Sequence, residues 1–192
     1  VLDKPRINWD GNCPSYMGVT YNREEVMNSL KRDDIIYSEV TDEDVLDLLD
    51  KQNIISIFHG GAESGRRALG NRSIIADPRS PKMKDLINEK VKHRQWFRPF
   101  APSILKEDVK VPAVVHLDGT GRLQTVTEKS NKWYYNFIKK WKNKTGVPII
   151  LNTSFNDREP IVETPEHAVN CFTGTNIDYL YFSDYNILVR KK

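Results

Sequence analysis

Ile54-Ile-Ser-Ile-Phe58 is a short run of mostly β-branched apolar residues that leads, after His59, into Gly60-Gly61. A run of this length bounded by glycines is typical of a buried strand. The carboxyl end of such a strand is also where open α/β sheets meet their ligands. The stretch therefore predicts the centre of a sheet, with a ligand site at its glycine exit.

Helices and further strands are predicted on both sides of this strand. Capping residues, proline positions and apolar spacing predict helices over 22–31, from Thr41 onward, from Ser80-Pro81 to about Lys92, over 132–144 with Gly146 closing it, and from Thr164 to about Phe172. Apolar runs predict strands over 111–116, 122–126, 147–151, 179–182 and 187–189, the first two joined by a tight turn. The pattern indicates an α/β (α+β) domain, with one twisted mixed sheet flanked by helices.

The composition places the chain among ordinary globular domains. Its 192 residues include 39% hydrophobic and 29% charged residues, and residues 1–20 read as an irregular lead-in before a domain at 21–192. No run of eighteen apolar residues predicts a membrane span. Cys13 and Cys171 are far apart and in no metal-binding spacing, so we expect no structural zinc or disulfide and a cytoplasmic location. The net charge of +3 is too small to indicate nucleic acid binding.

Four polar segments are candidates for the chemistry. Residues 63–73 bring Arg67, Arg72 and Asn71 together with two glycines, a composition that suits phosphate or carboxylate recognition without being a Walker loop. Residues 92–102 alternate cations with aromatic residues. Lys92 and Arg94 would point the same way on an extended backbone and could hold two oxygens of one phosphate chain. The alternatives are a surface loop with stray arginines for 63–73, aromatic core residues for Trp96 and Phe97, hydrogen-bonded structural groups for 116–124, and a capping or turn role within 152–156.

The other two segments supply small hydrogen-bonding groups. Residues 116–124 surround the predicted turn with His116, Asp118 and Arg122, and Asp118 alone would bind magnesium weakly. Asn152-Thr-Ser154-Phe-Asn156 is predicted as a polar loop directly after a strand, where hydroxyl and amide groups can orient a phosphate. None of the four segments offers a Ser-His-Asp relay, a Cys-His pair or a clustered metal site. Cations and small donors instead favour phosphoryl or adenylyl transfer.

Together these segments resemble the carboxy-terminal domain of the carbamoyltransferases that include nodulation and antibiotic-tailoring enzymes. The resemblance runs from about residue 54 to 182 and rests on Ala62–Arg79, Lys92–Ser103, His116–Val126, Val147–Asn156 and Glu159–Val162. It implies a fold similar to the YrdC-like threonylcarbamoyl-adenylate synthases. The Lys-x-Arg and Ser-x-Asn elements of those enzymes have counterparts here in Lys92/Arg94 and Ser154/Asn156.

The resemblance also implies a reaction. ATP, carried with Mg²⁺, and carbamoyl phosphate would form carbamoyl adenylate, with pyrophosphate or phosphate released. A separate amino-terminal domain, actin-like and metal-bearing, would pass the carbamoyl group to an acceptor hydroxyl. The implied catalytic residues are Lys92, Arg94 and Arg67, and the implied substrate- or nucleotide-binding residues are Asn71, Arg72, Arg98, His116, Asp118, Arg122, Ser154 and Asn156.

The sequence departs from the family pattern at three places. Arg66 stands where the family has proline, so we expect Arg67 rather than Arg66 to function. Only 106–110 separate Leu105 from the predicted strand, where the family has a longer segment, and 157–159 lack a glycine found there. Two other functions stay open: a non-catalytic nucleotide- or RNA-binding module with a basic concave face, and a structural partner domain that binds no ATP. A steep salt dependence would mark binding to a polyanion.

Overall fold

A computed structural model describes residues 15–65, 67–95, 98, 100–108 and 123–192 of the chain. Within those residues, eight strands join into one sheet. In chain order they are β1 (Ile35–Glu39), β2 (Ile55–Phe58), β3 (Arg72–Ala76), β4 (Ser103–Leu105), β5 (Gln124–Val126), β6 (Ile149–Ser154), β7 (Tyr179–Phe182) and β8 (Ile187–Lys191).

Helices flank this sheet. In chain order they are α1 (Arg23–Ser29), α2 (Asp42–Asp50), α3 (Met83–Leu86), α4 (Lys132–Thr145) and α5 (Pro165–Thr173). α3 continues directly into a π-helical turn, Ile87–Val91. The predicted α/β class, a mixed sheet with helices packed on it, is confirmed. The likeness to the YrdC-like fold stays a prediction.

The two faces of the sheet are covered by different helices. Alternation along β2 turns Ile55 and Ile57 to the face covered by α2 and α4, and Phe58 to the face covered by α1 and α5. Both faces are buried, and three of the four residues of β2 are apolar, with Ser56 as the exception, which is why the strand is recognisable in the sequence. Each fully buried aliphatic or aromatic side chain of these layers contributes roughly 1.5–3 kcal/mol to folding.

Polar caps fix where the helices begin and end. Asn22 and Thr41 form capping boxes with Glu25 and Asp44, so α1 and α2 begin where the sequence predicts. Thr164 caps α5, whose first residue is the predicted proline. α4 ends at Gly146, which adopts the left-handed conformation with φ 77°.

The order of the strands collects several chain segments at one edge of the sheet. That order is β1-β8-β7-β2-β3-β6-β4-β5, and only the pairs β2–β7 and β4–β5 are parallel. From the antiparallel pairs β2–β3, β3–β6 and β6–β4 it follows that β2, β6 and β7 end at the same edge at which β3, β4 and β5 begin. Every described polar segment singled out in the sequence reaches this edge, which we call the site edge.

Two element predictions are wrong in detail. The helix predicted from Ser80-Pro81 begins at Met83 and has no side-chain cap, and its second half is the π-helical turn. The strand predicted over 147–151 begins at Ile149 and continues to Ser154. Asn152, Thr153 and Ser154 therefore belong to a strand, and the predicted loop begins only after them. Backbone pairing with β3 holds these polar residues in the strand, a cause that the local sequence does not display.

Strands β1, β3 and β4 were not predicted. β1 is an edge strand with one buried residue, Ile35, and β4 has three residues, so neither carries a usable pattern. β3 begins with an arginine that is fully buried, which hides it from an apolar pattern. The predicted hairpin falls mostly on 109–122, outside the described residues; its described part is β5, which pairs parallel with β4.

Among the described residues, none of the helices has the length and apolar content that crossing a lipid bilayer requires.

Candidate functional site

Lys92 and Arg94 do not lie on an extended strand. Lys92 ends the π-helical turn with φ −97° and ψ −13°, and His93 follows with φ 44°, in the left-handed region. The expected alternation of a Lys-x-Arg pair on a strand is therefore wrong, because a helix end and a left-handed residue set the two side chains instead. A left-handed conformation in a residue with a side chain is uncommon and often marks a functional segment.

The ammonium group of Lys92 lies against the end of β6. Its Nζ donates to the carbonyl oxygen of Ser154 (2.5 Å) and, on Asn156, to the carbonyl oxygen (2.6 Å) and to Oδ1 (2.7 Å). Ser154 Oγ donates to the same Asn156 Oδ1 at 2.7 Å. Three of the predicted site residues thus form one hydrogen-bonded cluster, although more than 60 residues separate the lysine from the other two.

Burial gives Lys92 an unusual acidity. Its side chain is 6% exposed, and loss of water, with the nearby Arg94 cation as the second cause, lowers the pKa of Lys92 to about 7. Cys171 and Asp157 act in the opposite direction. The lysine is therefore a cation whose charge can change near neutral pH.

Arg94 lies between two concave regions of the surface. Its Nε donates to Asn88 Oδ1 at 2.7 Å, and its guanidinium carbon lies 4.9 Å from the centre of the Phe100 ring. Burial, and secondarily the charge of Arg98, lowers the pKa of Arg94. Its Nη2 is buried and has no hydrogen-bond partner among the described residues.

The smaller region is a cavity of about 90 Å³ at the site edge, which we call the edge cavity. It brings together Arg67, Arg94 and Ser154, three of the residues predicted from the sequence. The described residues that line it are Arg67, Ala68, Arg94, Phe100, Ala101, Gln124, Asn152, Thr153 and Ser154. Two guanidinium groups and several small polar groups make it suited to a small anion.

The larger region is a groove of about 760 Å³, which we call the helix groove. Arg94 and the exposed Arg98 line it, together with Asp85, Asn88, Glu89, His93 and Gln95. Because Arg94 lines both regions, this residue marks the place where they approach each other.

Arg72 is buried inside the fold and does not line either region. Its side chain is fully inaccessible, donates to the carbonyl oxygens of His59, Gly60, Asn71 and Glu163, and lies 3.5 Å from the centre of the Phe58 ring. Burial lowers the pKa of Arg72 to about 10. This geometry gives Arg72 a structural role, and the described contacts do not support its predicted binding role.

The loop that carries Arg67 is folded around a carboxylate. Glu63 Oε1 accepts from the backbone nitrogens of Leu69 (2.7 Å), Asn71 (2.8 Å) and Arg72 (3.2 Å). Asn71 is also buried: its Nδ2 donates to Gly61, and its Oδ1 accepts from Asn131. Glu63 and Asn71 therefore hold the loop in shape, and Arg67 projects from it, exposed.

Asn152 and Gln124 also line the edge cavity; both stand in candidate segments of the sequence, but neither was predicted as a site residue. Asn152 lies two residues before Ser154, so both side chains belong to the same face of β6. Reading the segment as a strand, with its period of two, would have found Asn152. Gln124 opens β5, and no local signal distinguishes it.

A second polar pair at the site edge was also missed. His59 follows β2, and its Nδ1 lies 2.9 Å from Asp184 Oδ1 and 2.9 Å from Ser183 Oγ, both of which follow β7. The imidazole stacks on Trp133 with 4.6 Å between ring centres. Burial opposes ionisation of Asp184, but the hydrogen bonds from His59 and Gly60 hold its pKa below the usual value. Adjacent parallel strands bring these residues together, which only the topology reveals.

The remaining predicted residues, His116, Asp118 and Arg122, lie outside the described residues, as do Arg66 and Cys13. Within the described part of the chain, no three His, Cys, Asp or Glu side chains are clustered so that they could hold a metal ion.

Comparison with known proteins identifies similar sequences. The family model described as "Carbamoyltransferase C-terminus" matches residues 46–111 and 106–191, two stretches that overlap at 106–111, where the sequence has its shortened segment. The chain is 41% identical to an uncharacterized protein of Methanocaldococcus jannaschii, MJ1058, with 97% of the chain and 36% of that protein covered.

Two named relatives are nodulation proteins. The chain is 43% identical to nodulation protein NolNO of Sinorhizobium fredii, over 72% of the chain and 24% of that protein. It is 41% identical to nodulation protein NolO of Bradyrhizobium diazoefficiens, over 72% of the chain and 30% of that protein. The chain thus spans about a quarter to just over a third of the length of these relatives.

Proposed function

The chain belongs to the carbamoyltransferase C-terminus family, and from this membership we propose that it activates a carbamoyl group with ATP, forming carbamoyl adenylate. Carbamoyl phosphate would supply the carbamoyl group. The reaction is proposed to take place in the cytoplasm. The sequence has only two cysteines, far apart and in no disulfide-rich pattern, which is typical of proteins in a reducing compartment.

One observation carries the proposal: Arg67, Arg94 and Ser154 line a single small cavity, and the ammonium group of Lys92 donates a hydrogen bond to the carbonyl oxygen of Ser154. Adenylyl transfer asks little covalent chemistry of a protein and depends on positioning and on neutralising phosphate charge. Two arginines, a lysine and a hydroxyl at one edge of a sheet supply both requirements.

The reaction divides into two steps. Carbamoyl phosphate reacts with water to give carbamate and inorganic phosphate. A carbamate oxygen then attacks the α-phosphorus of ATP, the bond from that phosphorus to the oxygen bridging to the β-phosphorus breaks, and pyrophosphate leaves. Negative charge accumulates on the phosphate oxygens during attack, where preorganised cations stabilise it most effectively.

The two concave regions suggest where each substrate lies. At about 90 Å³ the edge cavity fits a small group, whereas the helix groove, at about 760 Å³, has room for a nucleotide. Arg94 would then contact the reacting phosphate from between them, and Arg98 would contact the outer phosphates. Lys92 would join the reaction by exchanging one of its protein acceptors for a phosphate oxygen, because its three N–H groups already have partners.

Mg²⁺ fits this groove as a companion of the nucleotide. Asp85 and Glu89 line the helix groove, and one or two carboxylates together with substrate phosphates are the usual ligands of nucleotide-bound magnesium. When bound, the ion would neutralise phosphate charge. The proposed binding roles of His116, Asp118 and Arg122 rest on the family resemblance alone.

Transfer to an acceptor is assigned to a further domain. Since the chain spans 24% to 36% of the length of the relatives named above, we attribute acceptor binding to an amino-terminal, actin-like domain of the kind the family resemblance implies. That domain is proposed as the partner of the 21–192 domain.

The test combines calorimetry with a pyrophosphate assay. ATP is titrated into the protein, with and without carbamoyl phosphate, and pyrophosphate release is then followed. We expect ATP binding and pyrophosphate release that depends on carbamoyl phosphate, both abolished in Arg94→Ala and retained in Lys82→Ala, an exposed residue of the same region. A protein that binds no ATP would contradict the proposal and favour a purely structural domain.

A further inference from the structure

Residues 15–18 lie against the loop 61–70, which carries Arg67 and which we call the arginine loop. Two backbone hydrogen bonds join this segment to the first half of the loop: Gly18 N donates to Ala62 O (3.0 Å), and Ser64 N donates to Ser15 O (2.7 Å). The start of the loop is therefore held by a part of the chain that is more than 40 residues away.

The same segment also holds the second half of the loop. Tyr16 Oη donates to Leu69 O at 2.9 Å, so the points of attachment lie on both sides of Arg67 in the chain. Arg67 is exposed, and packing does little to fix the direction of an exposed side chain. The placement of its guanidinium therefore depends on the backbone that carries it.

The segment and the loop approach each other so closely that both need glycine at the contact. A Cβ added to Gly18 would lie 2.4 Å from Ala62 N, and a Cβ added to Gly61 would lie 2.4 Å from Gly18 O. Glycine permits such a close approach of two backbones because it has no side chain. Any larger residue at position 18 would push the segment away from the loop.

The other end of the segment is attached to the core of the fold. Tyr185 Oη donates to Tyr21 O at 2.6 Å, and the Tyr21 ring packs on the buried Phe58, with 6.0 Å between ring centres. The segment thus connects the arginine loop to the hydrophobic core, although it contributes no residue to the edge cavity among those described.

We propose that Tyr16 and Gly18 are positioning residues for Arg67: they hold the arginine loop in the form that presents this cation to the small substrate. The inference rests on the proposed function and adds to it a control of the site by a segment outside it. When a site is competent only in one arrangement of a loop, the apparent affinity falls with the fraction of molecules that have that arrangement.

The experiment measures the affinities of carbamoyl phosphate and ATP by calorimetry. Tyr16→Phe keeps the ring and removes one hydrogen bond, so we expect the affinity for carbamoyl phosphate to fall about three- to tenfold. The affinity for ATP, assigned above to Arg94 and Arg98, should stay within about twofold. Gly18→Ala is the second variant and should weaken carbamoyl phosphate binding about tenfold or more, because it displaces the segment. Met17→Ala, an exposed neighbour, is the matched control and should bind both substrates as the wild type does.

Two further measurements separate positioning from a general loss of structure. In an Arg67→Ala background, Tyr16→Phe should cause no further loss of carbamoyl phosphate affinity, because the residue it positions is absent. The backbone amides of Leu69 and Asn71, which donate to Glu63, should exchange with solvent about three- to tenfold faster in Tyr16→Phe. The amides of β7 should keep the wild-type rate.

Three results would overturn the assignment. Unchanged exchange at Leu69 and Asn71 in both Tyr16→Phe and Gly18→Ala would show that the segment does not hold the loop, and pyrophosphate release by the wild type would still support the proposed function. An equal loss of affinity for both substrates, or a loss that persists in the Arg67→Ala background, would show that the segment serves the fold as a whole. If the wild type binds neither substrate, the proposed function fails, and the positioning of Arg67 for a substrate fails with it.

Discussion

Lys92 Nζ lies 2.7 Å from Asn156 Oδ1, although 64 residues separate the two in the chain. This hydrogen bond connects the end of the π-helical turn to the residue that lies two positions after β6, at the site edge. Lys92 thus has two roles: it holds two chain segments together, and it places a cation next to the edge cavity.

Replacing Lys92 with methionine separates charge from side-chain volume. The variant keeps most of the buried stem and removes the ammonium group, so we expect pyrophosphate release to fall about 100-fold or more, as on removal of one preorganised donor. The carbonyls of Ser154 and Asn156 lose their donor, which costs about 1–3 kcal/mol in the free energy of unfolding. Steady-state kinetics and chemical denaturation measure the two effects, and Lys82→Met is the control. Full activity in Lys92→Met would remove the lysine from the site.

The pKa of Lys92 predicts how stability varies with pH. In the folded protein it is lowered to about 7 from 10.5, so between these values the unfolded chain binds a proton that the folded chain has released. The free energy of unfolding should therefore rise from pH 7 to 9, by at most about 1.4 kcal/mol per pH unit from this group. Below pH 7 both states are protonated and the contribution is constant.

The measurement is denaturant unfolding at several pH values for the wild type and Lys92→Met. The difference in unfolding free energy between the two proteins should change across pH 7–9. The range stops at 9 because burial raises the pKa of Cys171 to about 11, so that thiol opposes the trend above its ordinary value of 9.0. Parallel curves for the two proteins would mean that Lys92 keeps its proton throughout.

Arg72 is expected to matter for folding rather than binding. Arg72→Lys keeps the charge but loses the planar group that reaches four carbonyl oxygens, so we expect a loss of about 3 kcal/mol in unfolding free energy. Measured well below its melting temperature, the variant should bind ATP within about threefold of the wild type, on the order of 0.6 kcal/mol or less. A large loss of affinity in a fully folded Arg72→Lys would restore the binding role predicted from the sequence.

Two glycines allow a direct comparison of steric and conformational effects. Gly70 has φ 111°, and a Cβ added there would lie 2.4 Å from Tyr134 Cδ1, whereas Gly146 has φ 77° and open space around it. Gly146→Ala should cost about 1 kcal/mol through backbone strain alone. Gly70→Ala adds a clash with a fully buried ring, so its total cost should reach about 2–4 kcal/mol. Equal melting temperatures for the two variants would contradict the close approach of the loop to Tyr134.

A strand or helix of this fold could be predicted from the sequence only where the residues that determine it are close together in the chain. The strand at 55–58 and the caps of α1, α2 and α5 were predictable, because apolar runs and capping residues act within a few positions. β3 was not, since its first residue is an arginine whose buried guanidinium donates to the carbonyls of His59, Gly60 and Glu163, at least twelve residues away in the chain. The distinction is physical. Helix caps and apolar strand patterns depend on residues that are neighbours in the chain, whereas burial of a charged side chain depends on contacts that exist only in the assembled fold.

The same distinction holds for the site. The residue types of Lys92, Arg94 and Ser154 were recognisable, yet the structure reaches their proximity through a π-helical turn and a left-handed His93, not through the expected strand. Asn152 was overlooked because its segment was taken for a loop. His59 and Asp184 meet only because β2 and β7 are parallel neighbours, which no short stretch of sequence can indicate.

Salt dependence distinguishes a nucleotide pocket from a polyanion surface. Binding of RNA through many phosphate contacts releases a counterion for most of them, so with six or more contacts affinity would fall by about a hundredfold or more between 50 and 200 mM salt. ATP bound at Arg94 and Arg98 makes few contacts, partly shielded from water, and its affinity should change by less than about tenfold over the same range.

Nucleotide selectivity distinguishes the same two functions. A pocket for one nucleotide should bind ATP more tightly than tripolyphosphate or GTP, whereas a polyanion surface would not prefer adenine. Calorimetry with ATP, GTP, tripolyphosphate and a single-stranded RNA measures both properties. Tight, steeply salt-dependent RNA binding that ATP does not compete away would favour the nucleic-acid module, since the helix groove would then act as a charged face rather than as a pocket.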